Sequence, residues 1–377
     1  MSPSSQPLVS VVIPTLNAGK RLGRLLERLK SQQVPGTIEI IVVDSGSRDD
    51  TPNIASAAGA QVLAIPHRQF NHGRARNYAI ELSKGEFVAL TVQDALPTDE
   101  YWLARLLAPL LERAEVASSY GLQVASPDAG LLARARSALW CEARQTHVIK
   151  SLDTPEQFSK LSPNQRLELI EFDNVTSCVR RRVWEEIPFP ERNYGEDMAW
   201  AKEVLLRGYS IAFVPAAQVW HSHERGWLYE LRRAYVDGGA RVELVNWPSA
   251  DFTFSDLLLT LRRMLFFFTT KRFNSMAEPE EIYNFLQAEI DHYEKLVSIK
   301  FFDRYVDALK FAWALTNKAL PMLPEGRFPE GTWIHLFRFA LIAVIGEELG
   351  ATAATLRHSS GRNFVWRFLD AILGRGV

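Results

Sequence analysis

The chain has 377 residues, long for one domain, and its 47% apolar content is ample for a large core and argues against extensive disorder. Its 43 basic and 44 acidic residues leave a formal net charge of -1, which gives no support to a nucleic-acid partner. Two cysteines, Cys141 and Cys178, are too few for a disulfide framework or a cysteine zinc cluster, so a reducing cytoplasm is the expected compartment.

From the N-terminus, Met1 to Pro7 is polar and lacks the basic and apolar regions of a secretory signal. Leu8–Ile13 is a β-branched run ended by Pro14, which reads as a buried strand followed by a turn. Leu22, Leu25, Leu26 and Leu29 then recur at helical spacing. Ile38–Val43 is a second strand, Asp49-Asp50-Thr51-Pro52 a helix start, and Val62–Ile65 a short third strand. Arg74–Ser83 reads as a helix and Phe87–Val92 as a fourth strand. This alternation predicts a mostly parallel α/β sheet.

Farther on, Val116–Val124 reads as a strand, Leu131–Arg144 as a helix, and Ser151–Asn164 as a loop or flap. Phe172–Val179 reads as an antiparallel strand, Asp197–Arg207 as a helix stopped by Gly208, and Ile211–Val214 as a strand stopped by Pro215. Beyond Gly226 long helical patterns dominate. The reading is two domains, 1–225 and 226–377. The strongest apolar runs, Leu257–Phe268 and Phe337–Ile345, are too short or too interrupted by Arg262, Arg263 and Arg338 to span a bilayer.

Pro14-Thr15-Leu16-Asn17-Ala18-Gly19 follows the first strand where a dinucleotide oxidoreductase would carry its glycine fingerprint, and no Walker lysine is present. What stands at successive strand ends is polar: Thr15 and Asn17, Asp44 and Ser45, Gln93 and Asp94. In an open parallel sheet these ends share one edge, where ligands bind. An acid after the second strand can accept hydrogen bonds from a nucleobase or ribose. An acid after a later strand can hold a hard divalent cation on a diphosphate. Taken singly, Asp94 is more often a strand cap, and Glu196-Asp197 a helix cap. His221 and His223 alternate along an extended segment, so one of them, with His223 slightly favoured, is expected to face the site.

The ordered set Val9–Asn17, Ile41–Ser47 with Asp50-Thr51, Arg76-Asn77, Gly85-Glu86-Phe87, Gln93-Asp94-Ala95, Gly195-Glu196-Asp197 and His221-Ser222-His223 resembles the family 2 glycosyltransferases of GT-A fold. Phe70-Asn71-His72-Gly73, the Gln-Asp-Ala form and the His-Ser-His element are most similar to those of bacterial rhamnosyltransferases of O-antigen and surface polysaccharide synthesis. The resemblance covers roughly residues 8–225 and implies a Rossmann-like nucleotide-sugar domain followed by a smaller helical one. It gives Asp44, with Pro14, Thr15, Asn17 and Ser45, the nucleotide end of the donor. Asp94, with His221 or His223, would hold the divalent metal, Mg²⁺ or Mn²⁺. Asp197 would be the general base, with Glu196 as fallback. Arg76 and Gln93 would lie near the diphosphate or sugar, and Asn71 and His72 near the donor sugar or acceptor. The departure is Gln93 and Ala95, where many relatives carry further acids, so Asp94 stands as the sole acidic ligand.

The implied activity is inverting transfer of L-rhamnose from dTDP-L-rhamnose to a hydroxyl of a glycan or lipid-linked acceptor. A UDP-hexose donor is the near alternative; a nucleotidyltransferase and a non-catalytic sugar-nucleotide binder are the distant ones. Leu257–Phe273 carries Arg262, Arg263, Lys271 and Arg272 and contains no acid. It reads either as a helix lying peripherally on the anionic inner face of the cytoplasmic membrane or as a core or homo-oligomer helix.

Overall fold

The computed structural model describes residues 7–223, 225–249, 262, 276–294, 300–357 and 364–374. In chain order the first elements are β1 (Val9–Thr15), α1 (Lys20–Lys30), β2 (Ile38–Asp44), α2 (Thr51–Ala57), β3 (Gln61–Ala64), α3 (His72–Leu82) and β4 (Phe87–Thr91). Strands β1, β2 and β3 are each followed by a helix; α1 buries an apolar stripe of Leu22, Leu25, Leu26 and Leu29. Such crossovers force parallel pairing. Strand β1 pairs in parallel with β2 on one side and β4 on the other, and β2 with β3.

The chain continues through β5 (Leu96–Pro97), α4 (Trp102–Glu112), β6 (Val116–Val124), α5 (Leu131–Glu142), β7 (Val148–Lys150), α6 (Pro155–Lys160), α7 (Pro163–Ile170), β8 (Thr176–Arg180), α8 (Arg181–Glu186), α9 (Glu196–Leu206) and β9 (Ser210–Trp220). The sheet order is β3-β2-β1-β4-β8-β6-β9-β5, with β7 also on β9. Strand β8 runs antiparallel between β4 and β6, as its sequence predicts.

Three local expectations are corrected. Pro14 lies inside β1, paired opposite Val43, rather than ending it. The pairing of β1 with β4 stops at Val12, so the missing amide of Pro14 faces no partner on that side. Pro215 likewise lies inside β9, where the register against β6 jumps from Phe213 to Gln218. An irregularity of this kind accommodates a residue that cannot donate. The segment read as a loop, 151–164, contributes α6 and the start of α7. Pro155 and Pro163 occupy first-turn positions, and Ser162 with Gln165 completes a capping box.

The chain forms two units, Met1–Ser126 with Arg144–Ser222, and Pro127–Ala143 with His223–Val377. The first holds the sheet, with Val9, Val11, Ile13, Leu22 and Trp102 among its fully buried core residues. The second contains α5, α10 (Trp227–Val245), α11 (Pro279–Glu294), α12 (Lys300–Ala319), α13 (Thr332–Arg357) and α14 (Phe364–Leu373). Its separate core gathers Ala135 of α5 with Tyr235, Leu309, Trp333 and Phe337.

Helices α10 and α13 approach through glycine. A Cβ on Gly238 would meet the carbonyl oxygen of Glu347 at 1.8 Å, and one on Gly350 that of Tyr235 at 1.8 Å. The apolar run read as Phe337–Ile345 belongs to a longer helix: 332–356 is long and apolar enough to cross a membrane, and 72% of its best window is buried inside the protein. Apart from Arg262, the basic stretch Leu257–Phe273 lies outside the described residues.

Candidate active site

The carboxyl ends of β1 and β2 are tied into one polar edge. Asp44 is buried at the end of β2, where one carboxylate oxygen accepts from the amides of Gly46 and Ser47 at 3.1 and 3.0 Å. The other accepts from the Ser47 hydroxyl at 2.5 Å and stands 3.5 Å from the Thr15 hydroxyl. Ser45 donates from both its amide and its hydroxyl to the Thr15 carbonyl, at 2.9 Å each. Asn17 adopts φ 49°, a left-handed conformation asparagine tolerates, and its side-chain oxygen accepts from the Arg48 amide at 2.8 Å. Pro14, Thr15, Asn17, Asp44 and Ser45 are thus brought together by the fold.

Gln93 takes part in the same tie. Its amide oxygen accepts from the Leu16 amide at 2.8 Å while its nitrogen donates to the Leu16 carbonyl at 3.3 Å. An ionised carboxylate is acceptor-only and could not make both bonds. The amide here has a structural task, which accounts for the absence of a second acid beside Asp94.

Asp94 stands just beyond β4 and meets the exit of β9. His221 Nε2 lies 3.6 Å from Asp94 Oδ1, and His221 Nδ1 lies 2.6 Å from Gln123 Oε1. Gln123 in turn hydrogen-bonds Asp173. With Nδ1 donating to Gln123, the Nε2 lone pair of a neutral imidazole is left toward Asp94, the arrangement in which a histidine ligates a metal. Strand β9 ends at Trp220, so the alternation expected of an extended segment no longer applies. Ligand atoms of Asp94, His221 and His223 all lie within 4.8 Å of one another. Two imidazoles and one carboxylate suit a divalent cation of intermediate softness.

The third cluster surrounds the start of α9. Gly195 precedes it at φ 70°, a left-handed conformation that costs glycine nothing. Glu196 forms a buried ion pair with Arg76 of α3 at 2.5 Å, the two side chains 8% and 4% exposed. The Nε of Arg76 is buried and has no partner. Asp197 points elsewhere: its carboxylate accepts only its neighbour's Met198 amide at 2.8 Å among the hydrogen bonds of the described residues. Burial, then the charge of Glu196, lifts the Asp197 carboxyl to about 7, with Asp173 adding to the rise and Arg76 opposing it. Asp173, half-buried ahead of β8, is itself pushed up to about 6 by loss of solvent around its carboxyl.

Asn71 caps α3, accepting from the Arg74 amide at 3.1 Å and donating to the Arg192 carbonyl at 2.8 Å. His72 follows it, its basicity lowered by burial and by Arg76 and partly restored by Glu196. Asp173 and Gln123 were not singled out from the sequence. Their only signal is a lone acid before one strand and an amide near the end of another, and that pattern is common at strand ends.

A mostly parallel, helix-flanked sheet with acids at the ends of β2 and β4 and a protonatable carboxylate at the start of α9 defines a GT-A glycosyltransferase. The chain belongs to glycosyl transferase family 2, whose profile matches residues 10–176. It is 31% identical over 250 residues to the O-antigen chain rhamnosyltransferase WbaN of Salmonella anatum, spanning 65% of this chain and 76% of that one. It is 29% identical to the O-antigen chain rhamnosyltransferase RfbN of Salmonella typhimurium, over 65% and 75% of the two chains. Among solved structures it is similar to glucosyl-3-phosphoglycerate synthase from Mycobacterium tuberculosis, at 20% identity and a TM-score of 0.46 over 64% of this chain and 81% of that one.

Proposed function

We propose that this glycosyltransferase moves L-rhamnose from dTDP-L-rhamnose, with inversion, to a hydroxyl of a glycan or lipid-linked glycan acceptor. The observation that carries the transfer chemistry is Asp197, a carboxylate held near neutrality by its surroundings and not consumed by a salt bridge. A general base works best when its pKa lies close to the working pH, and an inverting transfer needs one to take the acceptor proton. The Arg76–Glu196 pair beside it fixes the first turn of α9 and keeps Glu196 out of the acid–base role. The rhamnose donor is supported by the two Salmonella relatives, of which this chain spans about three quarters.

In this reading Asp44, fastened by Ser47 and Gly46, receives the base and ribose end of the donor, with Thr15, Ser45 and Asn17 beside it. Asp94, His221 and His223 would hold a divalent metal, which when bound would neutralise the diphosphate and assist its departure. The donor set leans to Mn²⁺ over Mg²⁺, because Mg²⁺ prefers all-oxygen surroundings.

The test is a panel of nucleotide sugars with and without Mn²⁺ or Mg²⁺, read by thermal shift and by donor hydrolysis or transfer. The expected result is stabilisation by dTDP-L-rhamnose over UDP-sugars, by mass action on the native state. Metal alone should bind weakly, since the protein offers three ligands and the diphosphate must complete the set. Asp197→Asn should lower turnover by about 10²–10⁴ while leaving donor stabilisation intact. Turnover that survives Asp197→Asn rejects the base assignment, and preference for a UDP-hexose rejects the donor.

A further inference from the structure

The helical unit contains a cavity of about 350 Å³, of whose lining only His223 belongs to the proposed metal set. Its lining comes from three separated segments: α5, the residues entering α10, and the first turn of α13. One wall is aliphatic, formed by Leu131, Leu132 and Leu336. The polar lining is dominated by donors: Arg136, Arg225, His335 and Thr332, together with His223. Glu230 is the one acid there, and it is engaged with Arg136 at 3.7 Å. Arg136 is further held over the Phe339 ring at 4.4 Å, and burial makes its charge costly. Among the described residues Arg225 makes no ion pair; its guanidinium lies 5.3 Å from the Tyr229 ring centre and is otherwise uncommitted.

With Glu230 spent on Arg136, the cavity keeps one unbalanced guanidinium, surrounded by imidazole and hydroxyl donors. That is the chemistry of an oxyanion site. Donors arriving from three segments suit a tetrahedral anion, whose oxygens diverge, better than a flat carboxylate. The volume exceeds what a bare ion fills and sits at the small end of the range for organic ligands, about 300–1,000 Å³. The leucine wall asks for an apolar body on the same molecule.

We propose that this cavity binds a phosphate ester, its phosphoryl group on Arg225, His335 and Thr332 and its organic body against Leu131, Leu132 and Leu336. The phosphoryl contacts, Arg225, His335 and Thr332, take no part in the donor assignment, so the two readings can fail separately. The source of the ester is either a water-soluble sugar or glycerol phosphate or a lipid-linked phosphate; the chemistry is shared.

The test uses the full chain in EDTA at fixed ionic strength, titrated with glycerol 3-phosphate and, separately, with a polyprenyl phosphate in neutral detergent micelles. Binding is read by calorimetry or thermal shift. Saturable binding is expected, weakened about tenfold or more in Arg225→Glu and less in His335→Gln, the loss of a charged hydrogen-bond partner. Both residues are exposed, so the fold should survive, and a far-UV spectrum checks it. Lys30→Glu, an exposed control in the sheet unit, and Asp94→Asn should bind as the wild type does. Tighter binding of the polyprenyl phosphate assigns the lipid-linked source, and equal binding of the two assigns the soluble one. No saturable binding of either ester, binding indifferent to Arg225→Glu, or binding lost in Asp94→Asn overturns the proposal. Association with phosphatidylglycerol vesicles in the absence of binding to either ester also overturns it.

Discussion

Glu196 and Asp197 are adjacent acids at the start of one helix, yet their surroundings give them opposite duties. Glu196 is paired with Arg76 in a nearly dry contact, whereas Asp197 is held close to protonation by burial and by its neighbour Glu196. Removing Glu196 would leave Arg76 buried and uncompensated, so Glu196→Ala should destabilise the protein by about 3–5 kcal/mol in denaturant unfolding. Asp197→Asn should do the reverse, holding or raising stability at pH 8, because the fold already favours the neutral form. The catalytic consequence has a definite sign. Protonated Asp197 cannot accept the acceptor proton, so kcat/KM should climb about tenfold per pH unit below about 7 and level off above it. A pH profile flat from 5 to 8, in about the range where that carboxyl titrates, would remove Asp197 from the reaction. The positions of Asp44, Asp94 and Asp197 were legible in the sequence because acids at strand and helix ends leave a local signature. Asp173 and Gln123 were not, because they meet His221 only through pairing of β6, β8 and β9, which no local pattern records.

Among the elements, periodicity located the strands of the parallel half and α1 closely, since one buried face dictates each pattern. Proline misled at Pro14 and Pro215, because its cost depends on whether a neighbouring strand needs that amide, and pairing is not local information. The capping box at Ser162 and the first-turn prolines of α6 and α7 were present in the sequence, but polar composition outweighed them in the loop reading. The seam between α10 and α13 is likewise invisible to periodicity. There Gly350 lies in a helix interior, where alanine is ordinarily favoured by about 1 kcal/mol. Its backbone touches that of Tyr235 so closely that Gly350→Ala should instead destabilise by about 1–3 kcal/mol, seen as a lowered urea midpoint. Gly239 is the built-in control. Its added methyl would sit 3.7 Å from its nearest neighbour, and Gly239→Ala should be neutral or stabilising.

For the whole molecule, the two cores are built from interleaved stretches of sequence. Helix α5 lies between β6 and β7 in the chain yet packs its Ala135, with Leu131, Leu132 and Leu139, into the helical core. A fragment ending at residue 225 would keep α5 without the helices that cover it. It should bind a hydrophobic dye strongly, whereas one also lacking 127–143, bridged by a short flexible linker, should not. Equal dye binding by the two fragments would mean that α5 is satisfied without those helices.

The same interleaving orders events during synthesis. The sheet can be completed once β9 has left the ribosome, but α5 by then has been made and has no core to enter. Its apolar face must wait, exposed or shielded by a chaperone, until α10 to α13 follow. For the same reason the helical unit cannot be exchanged between relatives as a single C-terminal cassette. An exchange that leaves α5 behind would divide one core between two parents.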